Sequence, residues 1–302
     1  MENKVEDGWK FPDFRFVTAI YTELEGTRFN GNSRGIYDRY KASVKSLADG
    51  GYDIACFTSE KHLDDLVEFF KDNTNVYLIP HELEEYPTHV HIEEIKDRHP
   101  KYTTIDAWRS RCVEIMWGKF DWMLRFIYNA TLEDIEPDRC FFWIDAGLFH
   151  GGLISNTFRS ENSKGFYDFD TITQHRNLYE DLKRYADGKI INIRSTIVNH
   201  GSDDYVDVYG SRPEYGIIGG IFGGPREKMI EYIREFTIQT YLVLQKDRLL
   251  KEEEIMYYLH SQNPEQFKTF EFNTWYHQDW PIELYNPETQ VSFSDFFKVI
   301  RE

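Results

Sequence analysis

The chain has 302 residues and a formal net charge of −17, with 52 acidic side chains against 35 basic ones. A surface this acidic repels phosphate backbones and anionic headgroups, which excludes nucleic-acid binding as its main task but leaves room for one local basic pocket. With 41% hydrophobic and 17% aromatic residues the chain can bury a large core, so disorder over most of its length is excluded as well.

Taken in chain order, the opening MENKVEDGWKFPD is mixed in charge and lacks the apolar region of a signal peptide. No apolar run approaches the ~20 residues of a membrane helix, so no integral membrane segment is expected and the expected compartment is the cytoplasm. Phe14–Tyr21 is apolar and β-branched and reads as a strand. Asn32 and Ser33 are N-cap candidates for a helix with the stripe Tyr37, Tyr40, Val44 and Leu47, ended by Gly50 and Gly51. A strand over Tyr52–Thr58, a helix over Leu63–Phe70 and a strand over Val76–Ile79 follow. Strands that are apolar throughout, alternating with helices, predict a parallel sheet with helices on its faces.

Residues 81–103 are polar and rich in His and Glu, and read as a long loop. From about 104 to 130 apolar residues recur in steps of three and four: Ile105, Trp108, Cys112, Met116, Phe120, Met123, Ile127 and Ala130. Cys140–Asp145 is a short, very apolar strand ending in a carboxylate. Beyond it the pattern loosens into Gly-rich and acidic loops with weak elements. Order returns at Tyr215–Phe222, with a helix to about Lys246 and another near Glu252–Ser261. Cys56, Cys112 and Cys140 form no CxxC pair and sit in apolar runs, which excludes a disulfide framework. One domain over 1–302 is expected, with a nucleotide-binding half over 14–150 and an acceptor-side half over 151–302.

Several residues stand out chemically. Asp145 would project from the C-terminal edge of a sheet, where ligands of open α/β sheets bind; an Asp satisfied by turn amides is the other reading. Lys119 and Arg109 each fall about 40° from the centre of the long helix's apolar stripe. A charge on a buried face is costly unless paired, so each either makes an ion pair in the core or points at an anionic ligand. Glu252 lies about 60° from Ile255 on the apolar side of its helix, whereas Glu253 falls on the opposite side and serves as its neutral control. An acidic run at a helix start is also favoured by the helix dipole alone. Gly219 and Gly220 lie in EYGIIGGIFGG, where glycines in a strand mark a bulge or a close approach. His89 and His91 would share one face of an extended segment, as a metal pair or as solvated histidines. Asp168-Phe169-Asp170 is a literal DxD without a preceding apolar strand. Gly26, Gly31 and Gly35 make no GxGxxG turn, so a nicotinamide dehydrogenase loses support.

FFWIDAGL resembles the strand of a GT-A glycosyltransferase that ends in the DxD motif. WIDAG, the opening FVTAIY and the later GGIFGG resemble the bacterial HtrL/YibB (WlaTC-like) family, associated with lipopolysaccharide and other surface-glycan loci. This resemblance spans roughly residues 14 to 280. It implies a GT-A-like fold: a twisted, mixed but mostly parallel sheet flanked by helices. It also implies transfer of a hexose or N-acetylhexosamine from a nucleoside diphosphate, UDP first, to a glycan or lipid-linked saccharide. In that reading Thr18, Ala19 and Tyr21 hold base and ribose, and Gly219 and Gly220 line the donor cleft. Asp145 meets ribose and a Mn²⁺ or Mg²⁺ ion, and His277 completes the metal site. Glu252 is the base if the enzyme inverts. Gly147 stands where the second Asp of DxD would be, so either other ligands complete the metal site or Lys119 offsets the diphosphate charge. A non-catalytic nucleotide-sugar binder that kept the fold is the rival reading. A nucleotidyltransferase is disfavoured, because the Gly- and Arg-rich phosphate loop after the first strand is absent.

Overall fold

The computed structural model describes residues 16–22, 33–104, 111–129, 139–146, 177–195, 202–272 and 299–301. The first strand, β1 (Phe16–Ile20), is followed by α1 (Ser33–Asp49), β2 (Ile54–Thr58), α2 (Glu60–Phe69) and β3 (Val76–Pro80). After a 3-10 turn at Leu83–Glu85 come α3 (His89–Arg98), the single turn α4 (Lys101–Thr104), α5 (Cys112–Asn129) and β4 (Cys140–Ile144). The remainder holds α6 (Leu178–Ala186), β5 (Ile190–Ser195), α7 (Asp203–Tyr209), β6 (Gly216–Pro225), α8 (Arg226–Gln245), α9 (Glu252–Gln262) and β7 (Phe267–Phe272).

These strands form one seven-stranded sheet in the order β3-β2-β1-β4-β6-β5-β7. All its neighbours pair in parallel except β6, which runs antiparallel to both β4 and β5. The expected α/β class with a mixed, mostly parallel sheet is therefore what the chain builds. Strands β2, β4 and much of β1 are buried on both faces, because each face carries its own apolar layer. One layer joins Trp117, Phe120, Trp122 and Phe126 of α5 to Phe236 of α8 and Ile255 of α9. The opposite layer joins Val44 and Leu47 of α1, Leu63 and Leu66 of α2 and Leu182 of α6.

The predicted elements from β1 to β3 form with shifts of only a few residues. Residues 81–103 do not form the expected loop. They make α3 and α4, anchored by buried Ile92, Ile95 and Tyr102. Three apolar anchors suffice for an element lying at the layer's rim, so most of its residues stay polar. His89 and His91 are consequently on a helix, where two positions apart means nearly opposite sides. His89 Nδ1 meets Glu114 Oε1 at 2.7 Å, while His91 is exposed. The stretch beyond Asp145 also holds more order than its pattern suggests, namely α6, β5 and α7. Arg109, Gly147, Asp168, Asp170 and His277 lie outside the described residues.

Candidate active site at the end of the fourth strand

Strand order reverses at β1: the chain steps outward to β2 and β3, then returns to place β4 on the other side of β1. At such a reversal the loops leave in opposite directions, and the crevice between them is the usual ligand position of open α/β sheets. Asp145 is the first residue past β4 at that crevice. Because β6 runs the other way, its first residues reach the same edge. The Asp145 amide donates to the Gly220 carbonyl at 2.9 Å, which holds Asp145 beside Gly219 and Gly220.

Lys119 arrives from α5, which packs across β1 and β4. Only 6% of the residue is exposed. Its ammonium donates to Glu252 Oε1 at 2.9 Å, to Asp145 Oδ2 at 3.2 Å and to the Gly219 carbonyl at 3.2 Å. An ammonium has three hydrogens, and all three are engaged. The Lys119 charge on the apolar side of α5 is thus offset by two carboxylates. Burial opposes its charge, yet Asp145 and Glu252 together more than offset that and raise its pKa.

Asp145 is the more open of the two carboxylates, with 29% of its side chain accessible against 6% for Glu252. Burial still raises its pKa, against the Lys119 charge and the Trp143 indole, which donates to Oδ1 at 2.7 Å. Trp143 was not singled out from the sequence, although the signal was there: residues two apart on a strand share a face. Its ring is stacked on Trp122 at 6.0 Å, and Trp122 is stacked on Tyr21 at 5.1 Å. This aromatic series makes a rigid floor that fixes the direction of the Asp145 carboxylate.

Thr18 and Tyr21 are placed less openly than a role in holding a nucleotide would suggest. Thr18 is buried mid-strand, and Tyr21 is committed to the stack, with its hydroxyl donating to the His81 carbonyl at 2.7 Å. Ala19 is partly exposed on the face that carries the cluster. The five-residue run of β1 is central in the sheet, and a central strand has little side-chain surface to offer.

Glu252 begins α9. Its start is set by Glu254, which accepts from the Lys251 amide at 3.0 Å and from the Ser202 amide at 2.9 Å. Glu253 does not point away. It is half-buried, and its Oε1 lies 3.5 Å from the Gly219 amide nitrogen. Side chains of a first helical turn lean back towards the N-terminus, so neighbouring residues can both reach the sheet edge that the helix starts from. Burial and the adjacent Glu252 charge push the Glu253 carboxyl up to about 8.

The glycine at 219 is a packing requirement. A Cβ there would stand 2.8 Å from Glu252 Oε1 and 3.3 Å from the Lys119 nitrogen. Gly219→Ala should force the ion pair apart and destabilise the fold by about 1–3 kcal/mol, read as a lower urea midpoint at unchanged slope. An unchanged midpoint would mean that the cluster yields freely and is not a rigid unit.

Two carboxylates around one ammonium leave an uncompensated negative charge, before Glu253 is counted. That balance suits a divalent cation and opposes a bare diphosphate. Among the described residues Asp145 and the half-buried Glu253 are the carboxylates at this edge that solvent reaches. The three-donor group that does converge, His89, Glu93 and Glu114 within 4.8 Å, lies elsewhere. Arg111 and Lys96 already neutralise that group, with Arg111 Nη2 2.8 Å from Glu114 and Lys96 2.8 Å from Glu93.

No protein-family model matches this chain, and no curated protein matches it. Among solved structures, mouse xyloside xylosyltransferase 1 in its apo form is similar over 85% of this chain and 84% of that one, at 11% identity and a TM-score of 0.46. No helix among the described residues is long and apolar enough to cross a membrane.

Proposed function

We propose that this protein is a GT-A-like glycosyltransferase. It moves a hexosyl or N-acetylhexosaminyl unit from a nucleoside-diphosphate donor, UDP first, to a hydroxyl of a surface-glycan, lipopolysaccharide-type or lipid-linked saccharide acceptor. The observation that carries this reading is the Lys119–Asp145–Glu252 cluster set at the reversal of strand order, with one carboxylate left open to solvent. A purely structural ion pair has no need of an open partner at a sheet edge. The resemblance of WIDAG, FVTAIY and GGIFGG to the HtrL/YibB family supports the same reading.

In this reading Asp145 would hold ribose and, with His277, a Mn²⁺ or Mg²⁺ ion, which when bound neutralises charge on the departing diphosphate. Lys119 then serves by keeping Asp145 and Glu252 in fixed positions. Its hydrogens are already used, so offsetting diphosphate charge falls to the cation. Gly219 and Gly220 are the proposed donor-side stretch of β6, and at Gly219 the missing side chain makes room for Glu252 and Lys119.

The rival, a non-catalytic nucleotide-sugar binder, is favoured by the same saturation of Lys119, since a tightly compensated cluster does not itself require turnover. One measurement tests both readings and a second separates them. A thermal-shift panel of UDP, UDP-glucose, UDP-galactose and UDP-N-acetylglucosamine with Mn²⁺ should show one selective rise. A ligand at 100 times its Kd adds about 2.7 kcal/mol to the native state by mass action. An enzyme should also release UDP slowly into water, and a binder should not. The absence of any shift across the panel would overturn both readings.

A further inference from the structure

Resting on that reading, we infer that Glu253 is the group that takes the acceptor's proton, and that Glu252 is a positioning residue. The two neighbours differ in what they can touch. Glu252 is 4% exposed, its Oε1 is engaged by Lys119 at 2.9 Å, and its Oε2 is buried without a hydrogen-bond partner. An acceptor hydroxyl has no path to either oxygen unless the ion pair breaks. Glu253 is partly open, sits on the same sheet edge as Asp145, and its Oε1 makes only the long 3.5 Å contact with the Gly219 amide. Among the described residues no cation forms an ion pair with it, so its lone pairs remain usable.

The charges around it reinforce the assignment. Glu252 is its nearest carboxylate, with Lys251 and Lys119 as the cations facing it. Burial first, then Glu252, moves its titration to about 8, close to working pH, where a general base is most effective. The step balances simply. Glu253 removes the proton from the acceptor oxygen, and that oxygen forms the new bond to the anomeric carbon. The bond from that carbon to the diphosphate oxygen breaks, and its electron pair leaves with the nucleoside diphosphate. Glu253 is left as the carboxylic acid and returns its proton to solvent. A single displacement of this kind inverts the anomeric centre.

Water can stand in for the unidentified acceptor, so the experiment follows UDP release from the UDP-sugars above with Mn²⁺. For wild type, kcat/KM should rise with pH through a limb near 8. Glu253→Gln should lose about 10²- to 10⁴-fold in kcat and lose that limb, with the donor-induced thermal shift preserved. A second readout is independent of turnover. The folded-state pKa of Glu253 lies above its unfolded value, so ionising it in the native protein is unfavourable. Wild-type stability should therefore fall as pH rises from about 4.5 towards 8. Glu253→Gln avoids this, so its Tm should gain on wild type over that window and hold the gain above it. Wild-type turnover that survives Glu253→Gln, with its pH limb intact, overturns this assignment alone. A wild type that neither binds nor hydrolyses any of these donors overturns the glycosyl-transfer reading and this assignment with it.

Discussion

Lys119→Met should lower the unfolding free energy by about 3–5 kcal/mol, the loss expected when one partner of a buried ion pair is removed. Methionine preserves length and apolar packing, so the effect isolates the charge. Glu252, 4% exposed, would keep a negative charge with its nearest cation gone, and Asp145 would lose the ammonium that fixes its second oxygen. Removing both partners in Lys119→Met/Glu252→Met should recover part of the loss, because the more buried carboxylate goes with its cation and only the more open Asp145 is left unpaired. Urea denaturation of the two single variants and the double variant completes the cycle. A Lys119→Met loss under about 1 kcal/mol would put this pair with ordinary exposed ion pairs and remove the rigid cluster from the account.

Asp145→Asn should reduce UDP release by at least about 10²-fold, the scale of removing one electrostatic partner from a reacting centre. Stability should change by only about 1 kcal/mol. Asparagine's one oxygen can still accept from the Trp143 indole, 2.7 Å from Oδ1 in the wild type, while its NH2 takes the place of the oxygen that faces Lys119. What it removes is the open negative charge. Excess chelator should suppress wild-type turnover in the same way, with Mn²⁺ restoring it, because Lys119 has no free hydrogen to offer a diphosphate. Full turnover in chelator would show that the cluster rearranges to free Lys119. An Asp145→Asn protein that fails to fold would make Asp145 a structural turn residue.

Much of this edge was visible in the residues themselves. An apolar run ending in Asp145, a lysine out of place on an apolar stripe and a Glu252 facing the core are local anomalies, and each costs free energy that some partner must offset. What stayed hidden was the partnership. Lys119 and Glu252 are 133 positions apart, and no periodicity connects two separate helices. Glu253 departs from its expected direction for a related reason. A helical wheel assigns faces to the middle of a helix, whereas α9 begins at Glu252, with its first residues over the sheet edge. Trp143 was overlooked because in an apolar strand an aromatic reads as core, and its indole nitrogen finds Asp145 only once the loop turns.

The fold class, then, is encoded in the local pattern of residues. Apolar strands alternating with amphipathic helices require a two-faced sheet, since each strand must be covered on both sides. A single Asp at the end of such a strand must emerge at the C-terminal edge. The tertiary structure decided the rest. It reversed β6 against β4, which brought Gly219 to the edge that the parallel strands had already chosen. It closed Lys119 onto two carboxylates from elements far apart in the chain, and it left Glu253 the freer of two adjacent acids. The physical reason is that hydrophobic burial is encoded locally, in patterns a few residues long. The pairing of buried charges depends on which elements the finished core places side by side.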